Sequence, residues 1–266
     1  QAVAVEAVLN AAEIEFFKIG KAVAGDFVKV KNGDWNNDFH ISQLRDIWYE
    51  TSYLLDQRQS GVDQATLRFD NYKKQALNFN FNEAFTGVKP DYTGARPKAA
   101  VIREKGSNSE REMANALFLA GFDVKDVHMT DLISGREDLT GIQMIAAVGG
   151  FSNSDVLGSA KGWAGAFLYN EKANKALKDF FAREDTLSLG VCNGCQLFVE
   201  LGLINPDHEE KPKMLHNDSQ KFECNFTSVK IQTNNSVMLG SLAGSTLGIW
   251  AAHGEGKFNL PYSEQE

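Results

Sequence analysis

The fold of this chain is decided by one stretch, Thr186-Leu187-Ser188-Leu189-Gly190-Val191-Cys192-Asn193-Gly194. Its first four residues are apolar enough to predict a buried strand, and residues 195–201 predict a helix that Gly202 ends. A cysteine between two glycines at a strand-to-helix turn is typical of a nucleophile elbow, and the helix start favours a thiolate. We therefore predict that Cys192 is a nucleophile. The alternative is a structural cysteine in a glycine-bounded turn.

Residues 96–203 alternate between strand-like and helix-like segments. Apolar runs at 98–102, 122–127 and 142–148 predict strands, and the spacing of Ser109 and Glu112 predicts a capping box before a helix. This order predicts an α/β fold, a doubly wound and mostly parallel sheet. Ligands bind at the carboxyl ends of such strands, where Gly149-Gly150-Phe151-Ser152 and the Cys192 turn both fall.

The region before residue 96 predicts a small α+β segment followed by a linker. Residues 26–31 alternate apolar and polar before the turn signal Asn32-Gly33-Asp34, and a helix begins near Ser42. The face of this helix that carries Ile47 and Trp48 is interpreted as core. Residues 57–95 are polar and lack sustained periodicity, so we predict three parts: 1–56, a linker at 57–95, and a domain at 96–266.

Composition and charge exclude several functional classes. The chain has 266 residues, of which 43% are hydrophobic, a net charge of −8 and a pI near 5.2. These values argue against nucleic acid or an anionic membrane as the main partner. Three cysteines do not make a disulfide framework, which predicts a reducing, cytoplasmic location. Because the sequence begins at Gln1 without methionine and ends in polar residues, we interpret it as a piece of a larger polypeptide.

An acyl-transfer site needs a nucleophile, a base and donors for the oxyanion. The backbone N–H of Asn193 and one from Gly149-Gly150 are candidate donors for Cys192. If the segment around His253 is extended, His253 and Glu255 project to the same side, and the carboxylate could orient the imidazole. The alternative is a glycine-shaped loop whose backbone binds a ligand. The other histidines lack partner spacing, Cys195 and Cys224 are predicted to be inert core thiols, and no spacing predicts a metal site.

Three motifs together carry a family resemblance: residues 190–196, 149–152 and His253-Gly254-Glu255-Gly256. They resemble the class I glutamine amidotransferase domain, of flavodoxin-like fold, in the phosphoribosylformylglycinamidine synthase family, in its long single-chain form. Upstream, Leu44-Arg45-Asp46-Ile47-Trp48 resembles the tail of the synthetase part, an aminoimidazole-ribonucleotide-synthetase-like domain. The resemblance covers nearly the whole chain.

The resemblance implies an activity and a set of residue roles. In that family the amidotransferase part hydrolyses glutamine, and the synthetase part of the same polypeptide uses the ammonia with ATP and Mg²⁺. No cofactor is implied for the present chain. By position, Cys192 would form a glutamyl thioester, and Asn193 and Gly150 would offer oxyanion N–H groups. The residues implied to hold glutamine are Phe151, Gln196, Ala252 and Gly254.

Two departures from the family pattern stand out. Asn153-Ser154 replaces a usual Tyr-Gly, which predicts a perturbed loop if that glycine needs a backbone shape that serine resists. The family's catalytic His-Pro-Glu motif is absent from the sequence, so we expect the domain to continue past residue 266. Assigning the role to His253 and Glu255 is the alternative. Two other functions stay open, a catalytically incomplete structural domain and another cysteine hydrolase of the same fold.

Overall fold

The computed structural model of the chain describes residues 2–71, 74, 78–83, 85–88 and 92–261. They divide into two units, Gln1–Lys73 and Lys74–Glu266. The first unit contains α1 (Ala2–Ala11), a hairpin of β1 (Phe27–Asn32) and β2 (Trp35–His40), then α2 (Ile41–Ser60) and α3 (Val62–Asn71). The hairpin turns between Asn32 and Trp35, as the turn signal predicted.

The predicted core face of α2 is exposed, so that interpretation is wrong. Ile47 is 70% exposed and Trp48 is 81% exposed. These side chains are exposed because the neighbouring helix, α3, packs against a different side of α2. The ring of Tyr53 stacks on Phe69 of α3 at 4.6 Å, and this contact leaves the Ile47 and Trp48 side uncovered within the unit.

Helix α3 lies inside the segment that the sequence predicts to be a linker. Its apolar contacts are few and are set among polar residues. Ala65 is buried, and the hydroxyl of Thr66 lies 3.0 Å from that of Tyr53. The ion pair between Arg68 and Asp56 of α2 is another polar contact of this helix. Contacts of this mixed kind join two helices without producing a long hydrophobic pattern, which is why the composition suggested a linker. Within 57–95, residues 72–73, 75–77, 84 and 89–91 lie outside the described part of the chain.

A four-stranded parallel sheet forms the centre of the second unit. Its strands are β3 (Lys98–Arg103), β5 (Asp123–His128), β6 (Met144–Ala147) and β8 (Leu187–Gly190), in the order β5-β3-β6-β8. This order is the one found in flavodoxin-like folds, and the predicted doubly wound α/β class is confirmed. A short antiparallel ribbon joins β4 (Ser107–Asn108), which follows β3, to β7 (Gly149–Gly150), which follows β6.

Helices cover both faces of this sheet. They are α4 (Glu110–Leu119), α5 (Met129–Ser134), α6 (Lys161–Leu168), α7 (Glu171–Phe181) and α8 (Asn193–Glu200). Side chains alternate across β3: Ala100 and Ile102 join the core cluster with α5 to α8, while Ala99 and Val101 join the other cluster with Leu117 of α4. Burial on both faces explains why these strands are almost continuously apolar.

The capping box predicted at Ser109 does not form. Ser109 has a φ of +70°, and its hydroxyl donates to Asn108 Oδ1 instead of capping α4. A capping box occurs at α5, where His128 Nδ1 accepts from the Thr130 N–H and Asp131 accepts from the His128 N–H. His128 is therefore a helix cap, a role that its sequence context did not predict.

Beyond the sheet, two antiparallel pairs complete the described chain. Strands β9 (Lys213–Leu215) and β12 (Lys257–Asn259) form one pair, and β10 (Glu223–Lys230) and β11 (Thr246–His253) form the other. Cys224 on β10 is exposed, so its predicted place in the core is wrong; its neighbour Asn225 is exposed as well, and this end of the strand has no covered face. No helix among the described residues combines the length and apolarity needed to cross a bilayer.

Candidate active site

Cys192 lies at the turn between β8 and α8, in the layout that the sequence predicted. Its backbone has φ +54° and ψ −112°, a conformation that non-glycine residues rarely adopt. Strain of this kind persists only where the surrounding structure imposes it, and it concentrates at functional sites. The thiol is exposed, and its Sγ donates a hydrogen bond to the carbonyl of Ala252 at 3.5 Å.

Three glycines make room for this turn. A Cβ at Gly190 would lie 2.6 Å from the carbonyl oxygen of Gly194, and one at Gly194 would lie 2.1 Å from the carbonyl oxygen of Ala147. A Cβ at Gly149 would lie 3.1 Å from the Cβ of Cys192. The end of β6, the end of β8 and the start of α8 therefore meet backbone to backbone.

The two predicted oxyanion donors flank the cysteine. Asn193 begins α8, so its N–H has no acceptor within that helix. Gly150 has a φ of +106°, and a Cβ there would lie 2.7 Å from the backbone nitrogen of Asn108. Only glycine fits both this conformation and this space.

A buried amide network connects the three segments around Cys192. Asn193 is fully buried; its Oδ1 accepts from the N–H of Ser152 at 3.2 Å, and its Nδ2 donates to Gln196 Oε1 at 2.9 Å. Gln196 Nε2 in turn donates to the backbone carbonyl of Glu255 at 2.7 Å. The Asn193 and Gln196 side chains thus hold the 149–155 loop and the 252–256 segment against the start of α8.

The departure at Asn153-Ser154 coincides with an unusual backbone. Asn153, Ser154 and Asp155 have φ values of +51°, +57° and +47° in succession. Asparagine and aspartate tolerate this left-handed conformation better than serine does. The glycine that the family pattern places at position 154 would adopt it without strain.

We expect Ser154→Gly to raise the free energy of unfolding by about 1 kcal/mol, because it removes the steric cost of a left-handed serine. Chemical denaturation monitored by circular dichroism measures the change. Ser154→Ala is the matched control, since it also removes the hydroxyl but keeps the Cβ. Equal stabilisation by both variants would contradict the backbone explanation.

A cavity of about 390 Å³ opens beside the thiol. The structure brings together there every predicted site residue except Asn193, which lies buried beneath it: Gly150, Phe151, Cys192, Gln196, Ala252, His253, Gly254 and Glu255. The sequence did not single out five further lining residues, namely Asn108, Asp155, Ser159, His216 and Phe222.

His253 and Glu255 line one cavity, but the carboxylate does not orient the imidazole, so that part of the prediction is wrong. Residues 254–255 bend after β11 ends at His253, so the extended backbone on which the prediction depends is not present there. His253 Nδ1 lies 3.0 Å from Asn217 Oδ1. Glu255 Oε2 accepts from the N–H of Ser159 at 3.1 Å, and its Oε1 lies 3.5 Å from His216 Nε2.

The pKa values of the two carboxylates in the cavity shift in opposite directions. At Asp155 burial dominates and raises the pKa, helped by the charge of Glu255 and opposed by the hydrogen bond from Asn193. At Glu255 burial also favours the neutral form, but the hydrogen bond from Ser159 and the charges of His216 and Lys161 outweigh it and lower the pKa. Glu255 is therefore the more firmly ionised of the pair.

Cys195, one turn into α8, is half-buried. Burial raises the pKa of its thiol, and the nearby Cys192 adds to the effect. A thiol with a raised pKa forms little thiolate at neutral pH, in agreement with the prediction that Cys195 is inert.

The second unit has a flavodoxin-like sheet, a cysteine elbow at the carboxyl edge of that sheet, and a glycine loop beside the thiol. This is the architecture of a glutamine amidotransferase domain. Residues 96–266 match the family model of the CobB/CobQ-like glutamine amidotransferase domain. The chain belongs to this family.

Curated relatives and a solved structure agree with this placement. The chain is 39% identical over 263 residues to the probable phosphoribosylformylglycinamidine synthase, chloroplastic/mitochondrial, of Arabidopsis thaliana, covering 95% of this chain and 19% of the relative. It is 39% identical over 247 residues to the Dictyostelium discoideum phosphoribosylformylglycinamidine synthase, covering 88% and 18%. It thus spans about a fifth of the length of these relatives.

Among solved structures, the Thermotoga maritima PurLQS structure contains a similar chain. The match has a TM-score of 0.50 and 28% sequence identity, and it covers 62% of the present chain and 70% of the other. This likeness supports the flavodoxin-like amidotransferase fold of the second unit.

Proposed function

We propose that this chain is the glutaminase part of a phosphoribosylformylglycinamidine synthase. It hydrolyses glutamine at Cys192 and supplies ammonia for the ATP-dependent conversion of formylglycinamide ribonucleotide to formylglycinamidine ribonucleotide. The observation that carries the proposal is the strained, exposed Cys192 at a cavity lined by the residues implied to bind glutamine. Residues 1–56 are proposed to be the tail of the synthetase part, to which ATP and Mg²⁺ belong.

The proposed reaction has two acyl-transfer steps. The Cys192 thiolate attacks the side-chain amide carbon of glutamine, and the N–H groups of Asn193 and Gly150 receive the developing oxyanion. The C–N bond breaks, and the nitrogen leaves as ammonia after taking up a proton. Water then attacks the thioester, which releases glutamate and restores the thiol.

Labelling with a glutamine-like electrophile tests the nucleophile. We expect a chloromethyl ketone analogue of glutamine to add once, at Cys192, and glutamine to slow the reaction; peptide mass spectrometry locates the adduct. Cys192→Ala should remove labelling. Cys224→Ala, which removes the other exposed thiol, should leave it unchanged. Labelling of Cys224 at the same rate, or no protection by glutamine, would refute the proposal.

Turnover of glutamine by this chain is expected to be slow. Within the described part of the chain, the carbonyl of Ala252 is the hydrogen-bond partner of Cys192 Sγ, and no histidine is hydrogen-bonded to the sulfur. General-base help contributes roughly 10²–10⁴-fold, so we expect a comparable deficit relative to a full-length relative. A coupled glutamate assay measures it. Fast turnover that His253→Ala abolishes would assign the base to His253 instead.

The proposed location is the cytoplasm, inferred from the low cysteine content. The Arabidopsis relative carries the name chloroplastic/mitochondrial, which makes an organelle the alternative location. Cell fractionation with an antibody against the chain tests the proposal, and recovery in an organelle fraction would overturn it.

A further inference from the structure

Asn217 connects the 253–256 segment to the rest of the second unit. Its side chain is buried, and its Nδ2 donates to the carbonyls of His253 at 2.7 Å and Lys221 at 3.1 Å. Its backbone N–H donates to the carbonyl of Gly254 at 2.9 Å. On the other side of the amide, Oδ1 accepts from the N–H of Gly256 at 3.2 Å and lies 3.0 Å from His253 Nδ1.

These backbone partners fix the polarity of the amide. The two carbonyls can only accept, so the group facing them is the NH₂, and the Gly256 N–H can only donate, so the group facing it is the oxygen. Asn217 Oδ1 has no hydrogen to give, and the His253 nitrogen beside it must therefore carry one. In neutral His253 the proton is on Nδ1, and Nε2 is left as a hydrogen-bond acceptor.

Gly256 keeps the imidazole in this position. A Cβ at residue 256 would lie 2.1 Å from His253 Nδ1 and 2.2 Å from Cε1, so the ring packs directly against the glycine backbone. His253 is thus held by a hydrogen bond at its edge and by a glycine against its ring. Neither constraint involves Nε2.

His253 lines the cavity, and the charges of the other lining residues indicate which ligand group an acceptor there would meet. Among the described residues that line the cavity are two carboxylates, Asp155 and Glu255, and neither lysine nor arginine. A cavity of this composition favours a positively charged group of the ligand. Glutamine, the ligand of the proposed function, carries one such group, its α-ammonium, which is also an N–H donor.

We propose that Asn217 is a positioning residue that locks His253 with Nδ1 protonated, so that Nε2 accepts a hydrogen bond from the α-ammonium group of the bound amino acid. The ligand in this inference rests on the proposed function. The tautomer does not, because the amide contacts alone determine it.

Nitrogen-15 NMR of the histidine side chains tests the tautomer in the unliganded chain. At a pH where His253 is neutral, we expect its Nε2 to give the shift of an unprotonated nitrogen. Asn217→Ala removes the accepting oxygen and should move the proton to Nε2. Asn235→Ala, an exposed asparagine in the β10–β11 connection, is the matched control and should change nothing. If Nε2 of His253 is protonated in the parent chain, the positioning role of Asn217 is refuted, and no variant is needed to show it.

Ligand protection tests the ammonium contact. Glutamine and its analogue without the α-amino group compete with iodoacetamide for Cys192. A hydrogen bond to a charged group is worth roughly a factor of ten or more in affinity, so we expect glutamine to protect at about a tenth of the analogue concentration. Asn217→Ala should bring the two concentrations within about threefold of each other, because the ammonium contact is lost.

Different results would refute the ammonium contact and the glutaminase function. Equal protection by both ligands in the parent chain, or an unchanged ratio in Asn217→Ala, overturns the ammonium contact and leaves the glutaminase proposal intact. Protection by neither ligand refutes glutamine binding and with it the proposed function, while the NMR measurement still decides the role of Asn217.

Discussion

Gly150→Ala is expected to lower the rate of Cys192 labelling by the chloromethyl ketone about 100-fold, the effect typical of losing one oxyanion donor. The alanine Cβ would lie 2.7 Å from the Asn108 nitrogen and from the Gly106 carbonyl oxygen, both of them backbone atoms. The loop must move to relieve these contacts, and the N–H of residue 150 moves with it. Quenched time points analysed by intact mass give the rate.

Gly141→Ala is the control for backbone strain in this experiment. Gly141 also has a positive φ, +74°, but a Cβ there meets nothing within 4 Å. The variant should lose stability by about 1 kcal/mol and keep the parent labelling rate. If both variants label equally fast, Gly150 does not shape the oxyanion site.

Gly194→Ala is expected to reduce the free energy of unfolding by about 3 kcal/mol, at the upper end of overpacking effects. The new Cβ would lie 2.1 Å from the carbonyl oxygen and 2.5 Å from the carbonyl carbon of Ala147, which belong to a central strand of the sheet. Helix α8 would have to separate from β6. Urea denaturation measures the loss.

The comparison for this variant is Gly165→Ala, also a glycine within a helix. A Cβ at Gly165 would lie 3.7 Å from the ring of Tyr169, an ordinary contact. Alanine is the better helix former, so this variant should gain about 0.5–1 kcal/mol. A loss of stability at residue 165 as large as that at residue 194 would show that the Ala147 contact is not the cause.

Much of the fold follows from local sequence. Apolar runs in the sequence indicate buried strands, so the β8–Cys192–α8 turn and the doubly wound sheet were predictable. The meeting of Gly150, Gln196 and the 252–256 segment at Cys192 was predictable only through the family resemblance, because no local pattern relates residues that far apart in sequence.

The interactions that sequence reasoning missed depend on orientation. Whether Glu255 faces His253 or Ser159 is decided by a bend of two residues. Asn217 differs from any polar loop residue only through the hydrogen bonds of its buried side chain. Ser109 has the spacing of a cap but the backbone of a turn.

The buried Asn193 also has a consequence for how the protein ages. An asparagine followed by glycine is the pair most prone to deamidation, because the next backbone nitrogen attacks the side-chain amide and closes a succinimide ring. In the fold, that nitrogen, of Gly194, donates to the carbonyl of Val191 at 2.9 Å, and the Asn193 amide is held by Gln196 and Ser152. The ring cannot close without breaking these bonds. The rate at which Asn193 deamidates is therefore set by how often this part of the chain unfolds.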